Sequence, residues 1–173
     1  MALFSIREEQ TKDVAGIRRV NREAFGRESE VRLVDRLRDS GLVVASLVAV
    51  ENGGVIGHVL FSRLPIEGGS AILQAAALAP MSVAPSRQRQ GIGSALVRRG
   101  LDLCRERGFA VAFVVGHIGY YPRFGFSAEK AKCISSVYSG PHFMALELAP
   151  RALEGVVGRA AYPAAFAEVS VRP

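Results

Sequence analysis

The chain has 173 residues, 49% hydrophobic and 22% charged, with a formal net charge of +6. This excludes a disordered tail and predicts about one domain, large enough to hold a core without disulfides or a structural metal. Cys104 and Cys133 are the only cysteines and lack CxxC spacing, which excludes a disulfide scaffold and a zinc cluster and predicts a reducing, cytoplasmic setting.

The longest apolar run, residues 42–50, is far short of the ~20 residues of a bilayer-spanning helix. The first seven residues carry no basic segment followed by an apolar one, so neither a membrane partner nor a signal peptide is predicted. Between residues 85 and 107, Arg87, Arg89, Arg98, Arg99, Arg105 and Arg107 face only Asp102 and Glu106, a field suited to an anionic ligand. No aromatic residue is interleaved with these arginines, so a nucleic-acid partner ranks last. The three His and two Cys are scattered, which predicts no metal site.

In chain order, residues 3–8 predict a short strand and Thr11 an N-cap. Val14, Ile17, Val20, Ala24 and Phe25 then recur at helical spacing, and Ser29 opens a second helix with Val31, Leu33, Val34 and Leu37 inward. Gly41 stops it. Residues 42–50 and 55–62 flank the turn-forming Glu51-Asn52-Gly53-Gly54 and predict a hairpin. Pro65 to Gly69 reads as a second turn. Residues 71–83 read as a central strand buried on both faces, and Pro80, which removes a ladder hydrogen bond, predicts where that strand leaves a neighbour.

The clearest helix runs from Gly91 to Arg107, with Ile92, Leu96, Val97, Leu101, Leu103 and Cys104 on one face and Gly108 at its end. Residues 110–115 read as a buried strand, so residues 78–116 predict a parallel strand-helix-strand unit. Tyr120 to Phe124 reads as a short helix and Phe143 to Leu148 as the final strand. Residues 150–173 lack either period and read as an extension packed on the domain of residues 1–149 or on a partner subunit.

Residues 83–94, Val-Ala-Pro-Ser-Arg-Gln-Arg-Gln-Gly-Ile-Gly-Ser, join the central strand to the long helix. Backbone amides at such a junction converge with the positive helix end behind them, which makes an anion cradle. Gly91 and Gly93 leave room for a phosphate, and Arg87 and Arg89 add charge. The segment is not a P-loop, because the chain has no Gly-Lys pair. It is not a dinucleotide fingerprint either, because Leu96 replaces the third glycine and residues 110–116 carry no acid.

Gln88, Gly91 and Gly93 form Q-x-x-G-x-G after Met81-Ser82-Val83, and about 30 residues on comes Tyr121-Pro122-Arg123-Phe124-Gly125-Phe126. With these two ordered motifs, residues 1–150 resemble the GNAT N-acetyltransferases. The resemblance implies an α/β (α+β) fold with a mixed, mostly antiparallel central sheet, a splayed parallel βαβ pair and helices on both faces. It implies acetyl-CoA as co-substrate, with pantetheine on Met81, Ser82 and Val83 and the pyrophosphate on Gln88, Arg89, Gln90, Gly91, Ile92, Gly93 and Ser94. It further implies an oxyanion-stabilising amide near Val83, and Tyr121 as the acid that protonates the departing thiolate. Taken alone, Tyr121 reads as a half-buried aromatic packed on Phe124 and Phe126, and it is the pair of motifs that favours the acid.

The general base is less legible. Family members often carry a glutamate on a splayed strand, but residues 78–83 and 110–115 have no acid. His117 is the nearest titratable group, as a base or as a loop-capping histidine, with Glu67 and His58 behind it. The leading expectation is an acyl-CoA-dependent N-acyltransferase moving acetyl to a primary amine of a small molecule or peptide, by direct attack in a ternary complex. The alternative is a non-catalytic acyl-CoA-binding or sensing module. The resemblance is also compatible with a homodimer.

Overall fold

The computed structural model describes residues 4–69 and 72–169. Residues 1–3, including Leu3 of the predicted first strand, lie outside the described residues, as do Ala71 of the predicted central strand and positions 170–173 of the extension.

Strand β1 (Ser5–Glu8) leads through a 3₁₀ turn to helix α1 (Val14–Phe25), followed by α2 (Ser29–Asp39). Thr11 does not cap α1. It lies in the 3₁₀ turn, and Asp13 Oδ2 instead accepts from the Gln10 amide at 2.7 Å, while both carboxylate oxygens take the Arg7 guanidinium at 2.6 and 2.9 Å. A carboxylate fixed by an arginine is a stronger acceptor than a hydroxyl and wins the junction.

Strands β2 (Val43–Glu51) and β3 (Gly54–Arg63) form the predicted hairpin, with Asn52 and Gly53 at φ 48° and 78°, the left-handed pair that a two-residue turn requires. The predicted turn at 65–69 instead holds a two-residue strand, β4 (Ile66–Glu67). Then come β5 (Ala75–Val83), α3 (Ile92–Glu106), β6 (Val111–Val115), α4 (Ala128–Ala131), β7 (Ile134–Ser135) and β8 (Phe143–Glu147). The strand at 143 is not the last, because β9 (Gly158–Ala160) lies between β4 and β7 in a small second sheet.

The main sheet has the order β1-β2-β3-β5-β6-β8, antiparallel throughout except for the parallel pair β5 and β6. Successive side chains of a strand point to opposite faces, and the core divides accordingly. Ala76 and Leu78 of β5, Ala112 and Val114 of β6, and Met144 and Leu146 of β8 join Leu96, Val97, Leu101 and Cys104 of α3. Their neighbours Ala75, Ala77, Val111, Phe113, Phe143 and Ala145 join Ile17 and Val20 of α1 and Leu33, Val34 and Leu37 of α2. Helices therefore cover both faces. Leu153, Ala160, Ala165 and Phe166 extend the α1–α2 core, and Glu168 meets Arg32 (2.9 Å) and Arg36 (2.6 Å) of α2. No helix among the described residues is long and apolar enough to cross a membrane.

A buried polar cluster ties β2 and β3 to α1. Asn21 Nδ2 donates to the Ile17 carbonyl at 3.0 Å and lies 3.2 Å from His58 Nδ1. That nitrogen is thereby the acceptor, so Nε2 carries the proton toward Ser46 Oγ at 3.0 Å, and Ser46 in turn donates to Glu9. His58 is fully buried in this neutral tautomer.

Candidate active site

The two parallel strands part near their C-terminal ends. The β5–β6 ladder stops at Leu78↔Val114, and the β3–β5 register shifts between Val59↔Met81 and Phe61↔Leu78, across Ala79 and Pro80. Pro80 has no amide proton to give a ladder. Strand β6 stays with β8 beyond this point. Val115 pairs with Phe143, Gly116 N donates to the His142 carbonyl at 3.0 Å, and His142 Nδ1 donates back to the Gly116 carbonyl at 3.0 Å. One strand is held while its neighbour leaves, and an opening forms between them.

That opening is a cavity of about 410 Å³. Leu78 to Met81 form one wall and Val115, Gly116, His117, Tyr120 and Tyr121 the other, with Phe25, Arg27, Glu30 and Leu33 from the first two helices and Tyr162, Phe166 and Val169 from the C-terminal segment. Tyr121 is 8% exposed and makes edge contacts with Tyr120 and Phe126. Its hydroxyl has no hydrogen-bond partner among the described residues. Burial and then the neighbouring Tyr120 push the phenol well above its ordinary range, so it stays protonated at neutral pH. His117 lies exposed at the rim; its carbonyl accepts from the amides of Tyr120 (3.0 Å) and Tyr121 (3.2 Å), which ties the tyrosines to the end of β6. The loop-capping histidine is His142.

A second cavity, about 560 Å³, lies over the start of α3. Gln88 Nε2 donates to the Val83 carbonyl at 3.1 Å and closes the loop on the strand end. Arg89 (φ 60°) and Gly91 (φ 84°) both take left-handed backbone, which turns the chain into the 15-residue helix; for Gly91 this costs nothing. A Cβ on Gly93 would lie 3.1 Å from the Tyr120 hydroxyl and 3.2 Å from Met81 Sδ, so a larger residue would crowd the wall. Arg87 is paired with Glu51, whereas Arg89 meets no carboxylate among the described residues. Arg123 lies 4.4 Å from the Tyr120 ring centroid and bonds the Tyr120 carbonyl at 2.9 Å.

Of the residues singled out in the sequence, Met81, His117 and Tyr121 line the first cavity. Met81, Ser82, Val83, Gln88, Arg89, Gly91, Ile92, Gly93 and Ser94 line the second. Gln90 lines neither and turns its side chain to the Ser86 carbonyl at 3.4 Å. Glu67 pairs with Arg159 in the small sheet, and His58 is sealed in its own cluster, so neither reaches the opening. The remaining arginines of α3 are engaged within the fold: Arg98 lies over Phe124, Arg99 meets Glu106, Arg105 meets Asp102, and Arg107 bonds Glu8 and the Val44 carbonyl.

Sequence reasoning missed Phe25, Tyr120 and Glu30. Phe25, Met81 and Tyr120 line both cavities and form the partition through which they adjoin. Glu30 is the one carboxylate lining the first cavity among the described residues. It is 2% exposed, takes Arg27 Nε at 3.0 Å and Nη2 at 2.5 Å, and accepts from the Ser29 hydroxyl at 2.8 Å. Burial pushes its pKa up, but the bonds from Arg27 and Ser29 outweigh that and hold it below the usual carboxylate range. The only signal for Glu30 in the sequence is its place one residue into α2, and nothing local distinguishes it from a solvated glutamate.

A sheet that splays at a parallel pair, with a glycine-rich loop opening the helix between those strands, defines an acyl-CoA-type transferase scaffold. The chain belongs to the GNAT acetyltransferase family: residues 5–128 match the family model described as Acetyltransferase (GNAT) domain. It is 35% identical over 160 residues to the protein named Uncharacterized N-acetyltransferase YhbS of Escherichia coli (strain K12), covering 91% of this chain and 95% of that one. The crystal structure of YhbS from Escherichia coli in complex with CoA superposes with a TM-score of 0.89 at 34% identity, over 96% of this chain and 94% of that one. A GNAT family acetyltransferase from Brucella melitensis, solved in complex with acetyl-CoA, superposes with a TM-score of 0.78 at 37% identity, over 94% and 97% of the two chains.

Proposed function

We propose that this GNAT acetyltransferase moves the acetyl group of acetyl-CoA to a primary amine by direct attack in a ternary complex, within a catalytic domain of residues 1–149 completed by the extension that follows. The observation that carries this reading is the adjoining of the two cavities at Phe25, Met81 and Tyr120. One cavity has the amides and charge of a helix N-terminus for a diphosphate, and the other has room for an acceptor. The relatives solved with CoA and acetyl-CoA support it.

In this reading the loop from Gln88 to Ser94 holds the pyrophosphate, and Met81 to Val83 present strand backbone to the pantetheine. The amine lone pair attacks the thioester carbonyl carbon, and a backbone amide near Val83 stabilises the oxyanion. As the tetrahedral intermediate collapses, the C–N bond is retained and the C–S bond breaks. The sulfur takes a proton from Tyr121, which solvent then reprotonates, and the proton lost by the amine leaves through His117 at the rim. A thiolate is a tolerable leaving group, so general-acid help is worth about 10²-fold, the low end of its range. The free thiols Cys104 and Cys133 suit a cytoplasmic setting.

The test is calorimetric titration with acetyl-CoA of the wild-type protein and of Gly91→Val, with thiol release measured on an amine panel. Binding lost in the variant supports the loop assignment, and turnover rules out a sensing module. A wild-type protein that does not bind acetyl-CoA would sink the reading.

A further inference from the structure

We propose that the acceptor is a primary monoamine on a compact apolar body, aromatic or branched aliphatic, selected by Leu33 of α2 and by Tyr162 and Phe166 of the C-terminal segment. The inference rests on the acetyl-transfer reading above and assigns the substrate class of that same site.

Three observations converge. The cavity, about 410 Å³, falls in the range of roughly 300–1,000 Å³ typical of small-molecule sites. Away from the tyrosine wall its lining is Phe25, Leu33, Tyr162, Phe166 and Val169, with the Arg27–Glu30 pair among them. Tyr162 and Phe166 make an edge contact at 5.0 Å between ring centroids, and Tyr138 supports Tyr162 from behind at 4.8 Å, so the far wall is a braced aromatic surface. An apolar body gains by leaving water for such a wall, and an extended peptide would bury amides and carbonyls where few groups could bond them.

The charge balance excludes polycations. Among the described residues Glu30 is the single carboxylate in the lining, and it already accepts from Arg27 on both oxygens and from the Ser29 hydroxyl. A second ammonium would find no vacant anion, and a substrate carboxylate would meet an arginine whose charge is matched. The third observation is the lack of acid on the splayed strands, since Leu78 to Met81 and Val111 to Val115 carry none. An amine attacks only as the free base. Apolar surroundings disfavour its charged form and lower its pKa, which does part of the work of a strand carboxylate, and contact with the apolar body offsets the desolvation.

The experiment follows thiol release from acetyl-CoA with 3-methylbutylamine, 2-phenylethylamine, spermidine and a lysine-containing peptide, using the full chain. The two apolar monoamines should exceed the others in kcat/KM by about 100-fold, and Phe166→Leu and Tyr162→Leu should each raise KM for 2-phenylethylamine about tenfold. Calorimetric binding of 2-phenylethylamine to the CoA-loaded protein should weaken in parallel. Titration with acetyl-CoA, unchanged in both variants, reports that each is folded. A protein that binds acetyl-CoA but prefers spermidine or the peptide, or turns over none of the four, overturns this inference and leaves the acetyl-CoA site standing. A protein that does not bind acetyl-CoA overturns both.

Discussion

Gly116 and the ring of Tyr121 are in such close contact that a Cβ added at 116 would stand 2.3 Å from Tyr121 Cε2 and 2.7 Å from Cδ2. A ring braced by Tyr120 and Phe126 cannot yield without moving its hydroxyl. Gly116→Ala should therefore lower kcat about as much as Tyr121→Phe, 10- to 100-fold, with the double variant no worse than either single one. Steady-state kinetics on the three proteins checks this, and additive losses would separate glycine from tyrosine.

Arg87 and Arg89 look alike in the sequence, but Arg87 is paired with Glu51 and Arg89 is not paired among the described residues. Arg89→Ala should weaken acetyl-CoA binding about tenfold and flatten its salt dependence, and Arg87→Ala should do less. Titrations at two ionic strengths distinguish them.

Much of this architecture is legible in the chain because local rules and tertiary packing agree. Asn52-Gly53 permits only a tight hairpin, Pro80 interrupts the β5 ladder, and Gly91 sits where α3 needs left-handed backbone. Thr11 misled because Asp13, anchored by Arg7 from a neighbouring strand, supplies a better acceptor, and nothing within the helix sequence reveals that. Strand β9 was illegible because three residues carry no period, and its pairing with β4 bridges some ninety positions. The turn of the loop at Gly91 could be read from its place between a strand and a helix, whereas a cofactor role for that loop is implied by the family resemblance. Phe25, Glu30, Tyr162 and Phe166 could be read from neither, since they converge only when α1, α2 and the C-terminal segment pack together.

The buried His58 makes stability depend on pH. Burial foremost, with Arg38 adding and Glu9 opposing, lowers its pKa from the ordinary 6.5 to about 4. The unfolded chain thus binds the proton more readily, so stability is fully present above about pH 6.5 and is lost as pH falls toward about 4. The full difference is worth about 3 kcal/mol. Urea midpoints at pH 7 and pH 5 should differ for the wild type and differ much less for His58→Gln; equal slopes in the two proteins would refute the assignment.

Gly100 of α3 faces Phe61 of β3, and a Cβ there would lie 2.3 Å from Phe61 Cε2. Gly100→Ala should destabilise by about 1–3 kcal/mol despite the better helix propensity of alanine. Adding Phe61→Leu should recover part of the loss, as read from denaturant midpoints.

The partition of Phe25, Met81 and Tyr120 separates two cavities that different stretches of chain complete. Every described residue lining the loop cavity lies between residues 24 and 123, whereas the opening between β5 and β6 still lacks a wall until residues 162–169 are in place. A chain folding as it leaves the ribosome would acquire the loop cavity first and close the other some forty residues later. On the proposed assignment of the two cavities, the order of synthesis puts a chain able to grip a cofactor ahead of one able to choose what receives its cargo.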